Sequence, residues 1–276
     1  MLLKGNNVRF HSNFLKRYLA IAPSALAYER AIECALHVGK SWPAPILDIG
    51  CGDGIFAQIL FEGKIDTGID PDADEVSRAK PLDKYEELIV CFGDNIPKPD
   101  GSYNTVFSNS VLEHIPDLQP VLREVHRLMS DDARFYITIP TDRLEQATFL
   151  ARALSAFGLR QLAYRYGKFY NRFWRHYNVH SLAGWRAVFA EAGFEVEVER
   201  AYVPKNLSTL YDLLTPLALP ALIAKKRLRR WLLVPALRPI IAPIMNAILA
   251  GSVARAVDAK PDEGCLVYYA LKKRRQ

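Results

Sequence analysis

Paired cysteines are missing from this sequence. Its four cysteines, Cys34, Cys51, Cys91 and Cys265, form no CxxC pair, so neither a disulfide framework nor a zinc cluster is expected. A reducing compartment fits them best, as small buried hydrophobes. A secretory leader is not expected either. Met1, Leu2 and Leu3 give way at once to Lys4, Gly5, Asn6 and Asn7, and no apolar stretch of leader length forms. There is no internal repeat and no low-complexity tract, which excludes solenoids and compositionally biased tails. The six histidines are His11, His37, His114, His126, His176 and His180. The close pair, His176 and His180, has no carboxylate nearby in sequence, so no metal site is expected.

Acidic residues are absent from one long segment. Between Leu213 and Val257 there is none, against seven bases: Lys225, Lys226, Arg227, Arg229, Arg230, Arg238 and Arg255. With a formal net charge of +6 overall, the rest of the chain carries −1. A nucleic-acid binder more often spreads its basic surface over the folded body, so a nucleic-acid partner is not expected.

What is present is enough for a full core. Half of the 276 residues are hydrophobic, which supports one large domain with an appendage, or two small ones. Met1 to Arg17 reads as a loop or short helix, and Ser24 to Val38 as a helix ended by Gly39. From residue 45 to 140 strands and helices alternate. Strands are predicted over 45–50, Lys64–Asp70, Leu88–Phe92, Tyr103–Asn109 and Ala133–Ile139. Helices are predicted from Ile55, over Asp72–Lys80 and over Leu118–Met129. Such alternation predicts an α/β fold with a mostly parallel sheet and helices on both faces. Its ligands bind beyond the carboxyl ends of the strands. Arg143 to Lys168 reads as one helix, Ser181 to Ala192 as another. Phe194–Glu199 and Gly264–Leu271 read as the last two strands.

Three glycines follow the first strand in Asp48-Ile49-Gly50-Cys51-Gly52-Asp53-Gly54. Glycine there permits a tight turn and a close approach of backbone to a ligand. The spacing differs from GxGxxG, because the third glycine comes two residues after the second. This run resembles the cofactor motif of the class I S-adenosylmethionine (SAM) dependent methyltransferases. Further along, Asp70 ends the second strand before Pro71, and Gly93-Asp94-Asn95-Ile96 follows the third. The segment Ser108-Asn109-Ser110-Val111-Leu112-Glu113-His114-Ile115-Pro116-Asp117 is similar to the type-11 branch of that family. So is Asn178-Val179-His180-Ser181, ahead of a helix and Gly193-Phe194.

The resemblance implies a Rossmann-like sheet of seven strands, six parallel and the last antiparallel. It also implies SAM as cofactor, held by Asp48, Gly50, Cys51, Gly52, Asp70, Pro71, Gly93, Asp94, Asn95, Ile96, Asn109 and Ser110. In that family the Asp70 position takes the ribose hydroxyls. The Asp94 position lies near the adenine amino group, with Ile96 covering the ring. Asn109 and Ser110 lie nearest the methionine half. The activated sulfonium methyl needs an acceptor held in line with the departing sulfur, so alignment supplies much of the catalysis. His114, His176 and Tyr177 are the polar candidates on the acceptor side.

The expected organisation is a helical cap over 1–43 and a SAM-binding core over 44–201, with acceptor-site helices near 142–178. An apolar, basic helical insertion over 202–261 precedes the final strand and basic tail of 262–276. The resemblance implies a short hairpin where this insertion stands. Over Ala221–Leu233, helical spacing puts Ala221, Ala224, Leu228, Trp231 and Leu232 on one face. Lys226, Arg227, Arg229 and Arg230 fall on the other. The run from Leu232 to Ala250 is apolar, but Arg238, Pro235, Pro239 and Pro243 argue against a simple span. The insertion therefore reads as an anionic-membrane contact through 221–250, or as a lid or dimer surface. The expected acceptor is hydrophobic or lipid-linked, methylated at O or N by a cytoplasmic protein peripheral to the inner membrane face. Two alternatives stand beside it. One is a methyltransferase of a soluble small molecule, nucleic acid or protein; the other is a non-enzymatic SAM-fold interaction protein.

Overall fold

The computed structural model describes residues 8–210, 212–213, 238–257 and 259–275. The basic helical pattern read over 221–233 lies outside the described residues.

Seven strands form one sheet in the order β3-β2-β1-β4-β5-β7-β6. They are β1 (Ile46–Ile49), β2 (Ile65–Asp70), β3 (Tyr85–Val90), β4 (Tyr103–Asn109), β5 (Met129–Pro140), β6 (Phe194–Pro204) and β7 (Gly264–Lys273). Every pairing is parallel except those of β7, which runs antiparallel to both β5 and β6. The order reverses between β1 and β4, and ligand clefts open at such switch points.

The sheet is buried on both faces, and the strand period of two sorts its side chains. Along β7, Leu266, Tyr268 and Ala270 enter one core while Val267, Tyr269 and Leu271 enter the other. The first core is closed by α1 (Phe14–Leu19), α2 (Ser24–His37), α3 (Ile55–Leu60) and a late helix, Arg238–Ala256. Trp42 at its centre packs against Phe61, Phe107 and Tyr136, with ring centroids 4.9–5.2 Å apart. The second core is closed by α5 (Leu118–Leu128) and α9 (Leu182–Glu191). There the buried Trp185 indole donates to the Pro140 carbonyl at 2.9 Å. α4 (Ala73–Ala79) begins at Asp72, whose carboxylate accepts from the Asp74 and Glu75 amides.

The single helix predicted over 143–168 is three helices: α6 (Leu144–Ala147), α7 (Phe149–Ala156) and α8 (Arg160–Trp174). Thr148 starts α7 by accepting from the Ala151 amide, and Gly158, at φ +79°, turns the chain before α8. Several strands run past their predicted ends. β5 starts at Met129 rather than Ala133, and β7 continues to Lys273. β6 continues to Pro204, so residues 202–204 of the predicted insertion belong to the sheet. The Arg238–Ala256 helix buries Leu249, Ser252 and Ala256 against the first core and exposes Ile240, Ile241, Ile244 and Ile248. Among the described residues no helix is long and apolar enough to cross a membrane.

Candidate active site

The glycine run wraps the carboxyl end of β1. The Gly50 and Cys51 amides both donate to the Ile69 carbonyl at 2.9 Å, which ties the turn to β2. Gly50 has φ +76°, and a Cβ there would stand 2.6 Å from both Val111 methyls. Only glycine meets both the dihedral and the space. Asp70, at the end of β2, accepts from the Gly52 amide at 3.0 Å and from the Asp72 amide at 2.9 Å. Burial raises its pKa, against the pull of those two amides.

A cleft of about 560 Å³ opens at this edge of the sheet. Of the twelve residues implied as cofactor contacts, Gly50, Asp70, Pro71, Gly93 and Asp94 line it. Val111, Ile115 and Val121 give it an apolar wall, and His114 also lines it. The other implied contacts are not among its lining residues. Asp48 is buried, its carboxylate accepts from the Tyr85 hydroxyl at 2.6 Å, and burial pushes its pKa up to about 7. Cys51 is buried in the first core. The Gly52 amide faces Asp70. Asn95 is exposed, and Ile96 is 1 % exposed inside the second core.

Asn109 and Ser110 meet a partner that the motifs do not contain. Glu33 of α2, fully buried, accepts from Asn109 Nδ2 at 2.7 Å and Ser110 Oγ at 2.6 Å. Arg30 closes the network as an ion pair with Glu33 at 2.6 Å. An acid three residues from a base, flanked in α2 by the buried Ile32, Cys34 and Leu36, is the sequence signal that points to Glu33.

Next to the cleft lies a second, mainly apolar cavity of about 240 Å³. Leu26, Tyr28 and Ile32 of α2, Tyr170 and Trp174 of α8, and Leu266 form much of its wall. Arg30, Ser110, Glu113, His114 and His176 bring polar groups to it. His114 lines both spaces. It sits on the short 3-10 turn Leu112–His114, which the loop after α8 clasps. The Tyr177 and Asn178 amides donate to the Glu113 carbonyl at 2.7 and 3.1 Å, and the Asn178 side chain donates to the Leu112 and Ile115 carbonyls. The rings of His114 and His176 stand 5.2 Å apart. Tyr177 does not join them: its side chain is exposed and its amide does the holding.

Burial governs the charges here. It lowers the pKa of His114, lowers that of His176 to about 4 and raises that of Glu113 to about 8. The geometry is that of a nucleotide-sized cleft opening beside an apolar chamber at a shared imidazole.

A methyltransferase-domain model matches residues 22–199, well over half of the chain. The chain belongs to the methyltransferase-domain family. Within the family it is 30% identical over 99 residues to a ubiquinone biosynthesis O-methyltransferase of Vibrio campbellii, covering 34% of this chain and 42% of that protein. It is 28% identical over 121 residues to a malonyl-[acyl-carrier protein] O-methyltransferase of Hamiltonella defensa, covering 40% and 46%. The chain spans about half the length of the curated relatives it matches. The structure resembles a SAM-dependent methyltransferase of Thermotoga maritima, with TM-score 0.51 and 17% identity over 95% of this chain and 92% of that one. It also resembles the [4+2]-cyclase SpnF, with TM-score 0.54 and 15% identity over 98% and 88%. Both likenesses are of fold. The seven-stranded Rossmann-like sheet expected from the motifs is the family's sheet.

Proposed function

We propose that this methyltransferase-domain protein binds SAM in the cleft at β1 and β2 and transfers its methyl group to a hydrophobic or lipid-linked acceptor, at oxygen or nitrogen. The observation that carries the reading is the shared wall: His114 lines both the cleft beside Asp70 and the apolar cavity beneath α2 and α8. A sulfonium placed at that junction faces an acceptor in the neighbouring chamber, and holding the two in line supplies most of the rate.

Asp70 takes the ribose hydroxyls as a charge-assisted pair. Gly50 gives the backbone its close approach, and Asp94 lies toward the adenine. Asn109 and Ser110 serve the methionine half through Glu33, whose carboxylate suits an α-ammonium group. His114 and His176 are the polar groups on the acceptor side. The apolar wall of Leu26, Tyr28, Ile32, Tyr170 and Trp174 favours a hydrophobic acceptor. The relatives named as O-methyltransferases of ubiquinone biosynthesis and of malonyl-[acyl-carrier protein] give the reading further support. The basic stretch before Arg238 gives an anionic membrane surface as the place of encounter.

The test is label transfer from methyl-labelled SAM into a host-cell extract, separated into organic and aqueous phases. Wild type is compared with Asp70→Ala and with a deletion of 214–237. Organic-phase label that needs Asp70 supports the reading. Aqueous label that persists in the deletion variant replaces the lipid-like acceptor with a soluble one. Loss of SAM binding without loss of the cellular phenotype would make the chain a non-enzymatic module.

A further inference from the structure

Three donors converge where the Leu112–His114 turn meets the loop after α8. Glu113, His114 and His176 each offer one ligand atom, and these atoms lie within 4.8 Å of one another. Sequence spacing conceals the group, because His176 arrives from the loop after α8, sixty-two residues beyond His114.

The protons on the two rings are fixed by their neighbours. His114 Nδ1 faces the Arg175 carbonyl at 3.2 Å. A carbonyl only accepts, so that nitrogen carries the hydrogen and Nε2 carries a lone pair. Arg175 holds this carbonyl in place through a left-handed backbone, φ +57°, a conformation uncommon for a residue with a Cβ. His176 Nδ1 faces Asn171 Oδ1 at 3.4 Å. The Asn171 amide nitrogen is committed to the Glu145 carboxylate, which fixes its oxygen toward the histidine. His176 is therefore also an Nδ1–H donor with a free Nε2 lone pair. Metal-binding histidines show this arrangement: one nitrogen orients the ring and the other is left for the ion.

Glu113 supplies the second, independent observation. Its side chain is 4 % exposed, and its Oε2 is buried without a hydrogen-bond partner. Its Oε1 lies 3.8 Å from His114 Nε2. An unpaired buried carboxylate oxygen is costly unless a cation or donor meets it. Arg30, in the same cavity, is already paired with Glu33.

We propose that Glu113, His114 and His176 bind a divalent first-row transition metal at the junction of the cofactor cleft and the apolar cavity. The site goes beyond methyl transfer as such and stands independently of the acceptor's identity. Two imidazoles and one carboxylate suit Zn²⁺, Co²⁺, Mn²⁺ or Fe²⁺ and leave positions open. Donors within 4.8 Å of one another surround a centre at most about 2.8 Å from each. Bonds of about 2.0–2.2 Å then require each donor to move in by at most roughly 0.6–0.8 Å, within the reach of small side-chain rotations. An ion there faces the acceptor cavity and offers its open positions to an oxygen of the acceptor. Asn171 is a positioning residue, acting through His176.

Co²⁺ is the probe. The purified full chain is titrated with Co²⁺ and its visible d–d absorption recorded, with Zn²⁺ as competitor and SAM binding followed in parallel by calorimetry. Stoichiometric Co²⁺ absorption displaced by Zn²⁺ is expected. It should weaken at least 100-fold in Glu113→Gln and His176→Ala, about 10–100-fold in Asn171→Ala, and not at all in His180→Ala. A Co²⁺ spectrum unchanged in Glu113→Gln and His176→Ala, or no Co²⁺ binding by a wild-type chain that binds SAM, overturns the proposal. Circular dichroism separates loss of metal from loss of fold. SAM binding that fails while Co²⁺ binding persists would instead overturn the methyl-transfer reading alone.

Discussion

Replacing Gly50 by alanine tests the cleft at its tightest point. Two separate penalties follow from the structure. Left-handed backbone at φ +76° costs an alanine about 1–2 kcal/mol. The new Cβ would also stand 2.6 Å from both Val111 methyls and 3.1 Å from its Cβ, and overpacking of that kind costs about 1–3 kcal/mol. The total, about 2–5 kcal/mol, is a large fraction of the roughly 5–15 kcal/mol that holds a domain together. The two penalties are separable, because Val111→Ala removes both clashing methyls and leaves the dihedral strain. Urea unfolding of wild type, both single variants and the double variant closes a cycle. The expected coupling is at least about 1 kcal/mol in the direction of rescue, with the double variant still less stable than wild type. SAM affinity, measured by calorimetry, should fall in Gly50→Ala, since Gly50 and Val111 both line the cleft. A wild-type unfolding midpoint for Gly50→Ala, or additivity within about 0.3–0.5 kcal/mol, would refute the account of this turn.

Other expectations follow from charge and burial. Asp70→Asn removes the negative charge that we propose takes the ribose hydroxyls, and hydrogen bonds to charged groups contribute about 1.5–3 kcal/mol; calorimetry should show SAM bound roughly 10–100-fold more weakly. His37 sits among Trp42, Tyr268 and Phe56, and burial holds its pKa down to about 3. Below its unfolded value of 6.5 the unfolded chain takes up a proton that the native state refuses. The stability due to neutral His37 is thus fully present above pH 6.5 and is lost as pH falls. His37→Phe should gain on wild type by about 1.5 kcal/mol between pH 6.5 and 5, and parallel stability curves would contradict this. Trp185→Phe strips the Pro140 carbonyl of its buried donor and leaves a void, lowering thermal stability by about 2–4 kcal/mol with SAM affinity unchanged.

The sheet was legible in the sequence because its signals are local. A buried strand entering a glycine turn, an acid closing the next strand and alternating periods of two and 3.6 all sit within short windows. The ends were less legible. β5 reaches back to Met129 by pairing with Tyr103 of β4, and β6 continues to Pro204 by pairing with β7; no short window contains the partner strand. The helix predicted over 143–168 divides at Thr148 and Gly158, where cap and turn chemistry outweigh a continuous apolar composition. The cofactor side was read from one face of the turn. Asp48 and Ile96 belong to the same motifs as Asp70 and Asp94, but strand alternation and packing direct them into the interior. Glu33 and the convergence of His176 on Glu113 depend on contacts across 77 and 63 residues of chain, respectively. Spacing carries no trace of such contacts.

β6 and β7 are zipped from Phe194↔Lys273 up to Pro204↔Gly264, and the chain between those last partners leaves from the rim where Val203, Ser208 and Leu266 border the apolar cavity. A stem paired over that length fixes both ends of whatever it carries. Closing a longer or shorter excursion then changes the folding cost only logarithmically. The hairpin tip is in effect a cassette. Evolution, or an engineer, can exchange the rest of residues 205–263 and redecorate the mouth of the chamber, provided that Leu207, Leu249 and Ala256 still seal the first core, while the strands that shape the nucleotide cleft stay in register.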